Sequence, residues 1–178
     1  MTRPIRLARQ TTVAACQALL EIEPLLVPAD ADLLDVVRRA SRQPSTRVIG
    51  VIDGDGVLVG VIPVTRVAES IVARVAPEAL LIDVEDMRTA EVFSHSVADR
   101  VAAAIMLPAA ITRATETIGD AFRTMHRRKL GGLYIVDDDG RPTGYLDLLE
   151  LALVYVAAIQ AGDAGERRGS PADPEPSA

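Results

Sequence analysis

One short pattern occurs twice in this chain. Asp53, Gly56 and Gly60 recur as Asp137, Gly140 and Gly144, and the apolar residues around them recur with them, so that residues 51–62 align with 135–146 at a constant offset of 84. Each copy reads as an apolar run, an Asp/Gly turn, a second apolar run and then a helical pattern. A unit of this kind cannot bury its own apolar face, so two of them pack together, and the repeat constrains the fold before any local propensity does. Ligands favour the cleft between such halves.

The order of elements repeats as well. In the first copy, residues 25–27 predict a brief strand. Residues 30–42 predict a helix with Leu33, Leu34, Val36, Val37 and Ala40 on one face. A hairpin follows over 47–52 and 57–62, its Gly residues supplying the positive φ of the turn, and then a helix over 64–75. In the second copy the same elements fall at 109–112, 115–128, 132–136 with 142–146, and 147–159. The apolar face of the 115–128 helix holds Ile118, Ala121, Phe122 and Met125. Upstream of the hairpins the offset becomes 85, carrying Val27 to Thr112 and Leu33 to Ile118, as one inserted loop residue requires.

Outside the copies, residues 1–10 read as a loose arm and 11–21 as a short helix capped by Thr11 or Thr12. Residues 78–104 predict one or two helices, an extra layer or a dimer contact. The run 161–178 is Gly, Pro, Ser, Ala and charge without apolar periodicity, a disordered tail. The division expected is a first motif at 11–76, a helical linker at 77–103, a second motif at 104–160 and the tail, with the two motifs forming one domain.

Of the 178 residues, 49% are hydrophobic but only 3% aromatic, and there is no Trp. The core is therefore built from Ala, Val, Leu and Ile. A net charge of −6 excludes a general nucleic-acid role, since phosphate binding needs a basic surface. Cys16 is the only cysteine, and no Cys/His cluster has metal-ligand spacing. The expectation is a cytoplasmic protein without a metal site. No apolar run approaches the roughly 20 residues of a membrane-spanning helix. Asp137, Asp138 and Asp139 read as a solvated turn rather than a cation site. His95 has neither a nucleophile pattern nor an acid partner around it, so an enzyme is not expected.

Two Asp-x-x-Gly turns, each followed by Gly and two apolar residues at the start of a helix and each preceded by a strand and helix, resemble the cystathionine-β-synthase (CBS) domain. That family occurs as pairs. The resemblance covers roughly residues 20–75 and 104–160. It implies an α/β (α+β) fold of two strand–helix–strand–strand–helix motifs packed with pseudo-twofold symmetry, and a regulatory, non-catalytic role. It further implies adenosine-containing ligands such as AMP, ADP, ATP or S-adenosylmethionine in the clefts, no obligatory cofactor, and association of two pairs into a disc-like dimer.

In the family, a Ser or Thr at the helix start contacts phosphate, and an Asp three residues later holds the ribose hydroxyls. This chain has Pro63 and Arg66 at those places in the first copy, and Asp147 and Glu150 in the second. Arg66 is suited to phosphate; Glu150 keeps a carboxylate that suits a ribose. Tyr134 stands at the end of the cleft strand, its ring either stacking on an adenine or filling the cleft. Its counterpart Gly50 leaves room. Val27, Thr112 and Leu133 complete the candidate ligand-binding set.

The apolar face of Leu148, Leu149, Leu151, Val154 and Ile159 exceeds what one hairpin can cover and predicts burial against a second chain. The expected function is a homodimeric sensor that shifts between closure angles on binding an adenine nucleotide. The alternative is a scaffold with degenerate clefts, docking a partner enzyme or transporter.

Overall fold

The computed structural model describes residues 10–18, 22–75, 100–153 and 155–156. The expectations for the arm, for most of the 77–103 linker including His95, and for the tail lie outside these residues.

Helix starts are set by side-chain caps. Helix α1 is Val13–Gln17, opened by Thr12, whose hydroxyl accepts from Ala15 N. After strand β1 (Leu26–Pro28), helix α2 (Leu33–Ser41) begins three residues later than its apolar pattern suggests. Asp32, in extended backbone, accepts from Leu34 N at 2.8 Å and fixes the start there. The matching helix of the second copy, Ile118–Arg128, likewise starts late. There Thr117 and Asp120 close a capping box in which each side chain accepts from the other's backbone N–H.

The two hairpins are near copies. Strands β2 (Val48–Ile52) and β3 (Leu58–Pro63) pair antiparallel, with Val48 opposite Pro63, Gly50 opposite Val61 and a shift after Val51. In the second copy, Gly132–Val136 and Pro142–Asp147 pair with Gly132 opposite Asp147, Tyr134 opposite Tyr145 and a shift after Ile135. The turns match too. Gly56 and Gly140 take φ of +80° and +79°. Asp53 Oδ1 accepts from Asp55 N and Val57 N, and Asp137 Oδ1 from Asp139 N and Arg141 N. Asp137, the first residue of the acidic run, thus folds the second turn itself.

Helix α3 (Val64–Val75) closes the first copy. A short helix α4 (Ala102–Ile105) and strand β4 (Leu107–Pro108) follow. Strand β5 (Ile111–Thr112) begins the second sheet and helix α5 is the Ile118–Arg128 helix; strands β6 and β7 are its hairpin. Residues 148–153 and 155–156 are helical. The first sheet has the order β1-β2-β3-β4 and the second β5-β6-β7, with β1 parallel to β2 and β5 parallel to β6.

The copies exchange their leading segments. Val13 N and Ala14 N, ahead of the first copy, donate to Glu116 O and Ala114 O of the second. Ala102 N and Ala103 N, ahead of the second copy, donate to Ala31 O and Ala29 O of the first. Bridges Thr12–Thr117 and Asp32–Val101 are the same contact made twice. Strand β4 completes the exchange by pairing with β3 of the first sheet, Gly60 opposite Pro108. Helical periodicity over 78–104 gave no sign of a two-residue strand just beyond it.

Burial follows this exchange. One core cluster joins Val13 and Cys16 of α1 to Ile118, Met125, Leu133, Ile135 and Leu146 of the second copy, and reaches Val48 and Val61 of the first. The other joins Val27, Leu33, Val36, Ile49 and Ile62 to Ala102 and Ile105. Cys16 is one of the small buried apolar groups of the first cluster, and burial raises its thiol pKa.

Candidate functional site

Residues near a pseudo-twofold axis face their own counterparts, and this decides what fits between the copies. Gly50 and Tyr134 are counterparts, and they touch. A Cβ added to Gly50 would stand 2.7 Å from Tyr134 Cζ. The Tyr134 ring is wholly buried and its hydroxyl donates to Leu25 O at 2.7 Å and to Val48 O at 3.0 Å, both in the first copy. Tyr145 does the same from the next strand. Its hydroxyl occupies the space a side chain on Gly132 would need, and accepts from Val48 N at 3.2 Å. The two rings lie 5.2 Å apart at 59°, a tilted pair of ordinary geometry. Burial pushes both phenols well above their usual pKa. The second copy thus supplies both rings, and the first copy supplies the glycine and backbone polar atoms that receive them.

Next to the rings, Arg47 of the first copy donates to Asp147 of the second, Nη1 to Oδ1 at 2.5 Å. The Asp147 carboxylate is fully buried while the Arg47 side chain is 41% exposed. Asp147 Oδ1 also caps the last helix, accepting from Leu149 N at 2.9 Å and Glu150 N at 3.4 Å. The hydrogen bond to Asp147 raises the Arg47 pKa.

The counterpart of this pair is different in kind. At the same offset Arg47 corresponds to Gly131 and Asp147 to Pro63. The backbone is preserved there: Val64 N donates to Arg47 O on one side and Leu148 N to Gly131 O on the other. But glycine and proline form no ion pair, and Pro63 has no acceptor with which to cap α3. A pocket of about 440 Å3 opens on this side, within the range of small-molecule sites. Thr46, Arg47 and Val48 form one wall, Pro63, Val64 and Thr65 a second, and Lys129, Leu130 and Gly131 of the other copy the third. Lys129 ends α5 in left-handed backbone, φ 55°, and is exposed at the rim.

The candidate residues from the sequence are distributed as follows. Gly50 and Tyr134 come together, with the ring filling the room the glycine leaves. Val27 and Leu133 are fully buried in the two core clusters. Thr112 is buried and donates to Glu116 Oε2 at 2.6 Å. Asp147 is engaged by Arg47. Arg66 is exposed on the first turn of α3, next in sequence to Thr65 of the pocket wall but not itself part of that wall, and Glu150 is half-buried on the last helix. Within the basic run, Arg128 donates to Pro108 O and Ala109 O and so holds the β4 segment. The sequence reading did not single out Arg47 or Thr46. Both are ordinary residues in a strand approach, and Arg47 takes its significance from Asp147, a hundred positions away.

Two α/β motifs with exchanged leading segments, packed about a pseudo-twofold axis with a cleft between them, define a paired-motif architecture. A family model of the CBS domain matches residues 1–73 and 102–156. The chain belongs to the CBS domain family. No curated protein matches it. Among solved structures, a CBS domain-containing protein from Thermotoga maritima is 22% identical, with a TM-score of 0.64 over 81% of this chain and 93% of that one. The CBS domain pair of protein MJ0100, in complex with 5′-methylthioadenosine and S-adenosyl-L-methionine, is 14% identical, with a TM-score of 0.61 over 83% and 98%. CBSX2 in complex with AMP is 20% identical, with a TM-score of 0.60 over 84% and 97%. Among the described residues, no helix is long and apolar enough to cross a membrane.

Proposed function

We propose that this CBS pair is a non-catalytic regulatory module that binds an adenine nucleotide between its copies. The observation that carries the reading is the open pocket between Pro63–Thr65 and Lys129–Gly131, whose walls come from both copies. A ligand there bridges the two motifs and stabilises one closure by its differential affinity for the two states. Lys129 at the rim and Arg66 beside the wall supply positive charge for phosphate, and the apolar walls of Val48, Val64 and Leu130 take the base. That relatives of the same fold hold AMP and S-adenosyl-L-methionine supports the ligand class.

The same reading makes the protein a cytoplasmic homodimer. Leu149, Leu153 and Val156 lie on one stripe of the last helix and are about half exposed, an apolar strip that a second copy covers. The alternative, a docking scaffold for an enzyme or transporter, rests on the absence of the family's phosphate and ribose residues at Pro63 and Arg66. A thermal-shift screen against AMP, ADP, ATP and S-adenosylmethionine separates the two. A selective, saturable rise of several degrees is expected of the sensor; no rise with any of the four leaves the scaffold.

A further inference from the structure

The two sides of the pseudo-twofold axis carry the same backbone and opposite chemistry. On one side Arg47 reaches across to a fully buried Asp147, whose carboxylate accepts from Leu149 N and Glu150 N at the start of the last helix. On the other side the corresponding residues are Gly131 and Pro63, and the pocket opens there, with Arg47, close to the axis, also on one of its walls. The Asp147 carboxylate therefore sits at the helix start of the second copy, the position corresponding to the Pro63 edge of the open pocket.

We propose that the Arg47–Asp147 pair is a built-in plug. It occupies one of two pseudo-equivalent clefts with the chain's own anion and cation, and leaves the Pro63/Gly131 cleft as the single ligand-accepting one. This deepens the nucleotide-sensor reading and rests on it. Three further features accompany the ion pair. Tyr145, next to it, turns its hydroxyl toward Asp147 Oδ2 at 3.5 Å. Tyr145 also fills the space over Gly132. And Asp147 satisfies the helix amides that would otherwise be free to receive a ligand anion. None of these has a counterpart on the open side, where Val61, Val48 and Pro63 stand in the corresponding positions. Four pairs of corresponding positions, 47/131, 147/63, 145/61 and 132/48, thus set the two sides apart.

The test exploits the symmetry. Installing the plug on the open side requires Pro63→Asp with Gly131→Arg. Position 131 has no positive φ, and an added Cβ there meets Arg47 Cδ at 3.5 Å, an ordinary contact. Calorimetric titration of the full chain with AMP is expected to give one equivalent for the wild type and at least a tenfold weaker affinity for the double variant. The thermal transition of each variant without ligand shows that it is folded. The single variant Gly131→Arg, which fills the cleft without a new acid, also weakens binding if this is the cleft used. Two equivalents in the wild type, or unchanged affinity in both variants, overturns the plug while leaving nucleotide binding intact. Absence of AMP binding in the wild type and every variant removes the nucleotide reading and the plug together.

Discussion

Gly50 and Tyr134 hold equivalent positions in the two copies and stand against each other across the pseudo-twofold axis, so close that a single methyl on Gly50 would meet the ring at 2.7 Å. Only one ring fits at such a point. The sequence resolves the conflict by giving one copy the aromatic and the other nothing, and the hydroxyl then binds two carbonyls of the opposite copy.

Gly50→Ala is therefore expected to destabilise by about 1–3 kcal/mol, as overpacking of a filled core does. Tyr134→Leu, which removes the ring, should absorb the ring's share of that cost when combined with it, the contact with Leu26 Cδ2 at 2.7 Å remaining. Urea unfolding of the two single variants and the double variant checks this. Strict additivity would show that the ring and the glycine do not compete for the same space.

Tyr134→Phe keeps the ring and removes the hydroxyl; Leu25 O keeps its bond from Gly50 N, while Val48 O loses this donor. A loss of about 1–3 kcal/mol follows from the unsatisfied buried acceptor. The same denaturation series measures it, and an unchanged midpoint would contradict the hydrogen bonds described.

Arg47→Ala leaves the buried Asp147 carboxylate without its cation. Breaking a buried pair this way costs several kcal/mol, but Arg47 is 41% exposed, and water softens the loss. About 1–3 kcal/mol is expected. Asp147→Asn keeps a cap acceptor for Leu149 N and loses the charge, so it should cost less than Asp147→Ala. Thermal unfolding of the three variants tests the ranking.

Both cleft phenols titrate above their ordinary value near 10 because burial disfavours the phenolate. The folded state thus holds these protons more tightly than the unfolded chain. Their contribution is complete below about pH 10 and is lost as the pH rises through the folded-state values. Stability should fall with pH above about 10, and the slope should flatten in the Tyr134→Phe/Tyr145→Phe double variant. Equal alkaline slopes in the two proteins would contradict the buried phenols.

The repeat made the hairpins legible to within a residue, including the one-residue change of offset. The structure pairs Leu26 with Gly50 and Ile111 with Tyr134, which reproduces both offsets. Helix starts were less legible. Apolar spacing extends past the cap, and it is Asp32 and Thr117 that set the boundary. The exchange of leading segments could not be read, because an alignment of the copies shows what corresponds and not what touches. Arg47 escaped for the same reason. Its partner's counterpart is a proline and its own is a glycine, so the alignment holds no charge pair to notice. Tyr134 was identified, and the structure adds the choice the alignment left open: the ring packs in the interface.

Backbone amide shift mapping with AMP tests the central claim most directly. The account predicts saturable perturbations clustered at Thr46–Val48, Thr65 and Lys129–Gly131, the walls of the open pocket. Perturbations confined to the exposed stripe of the last helix, or none at millimolar AMP, would contradict it.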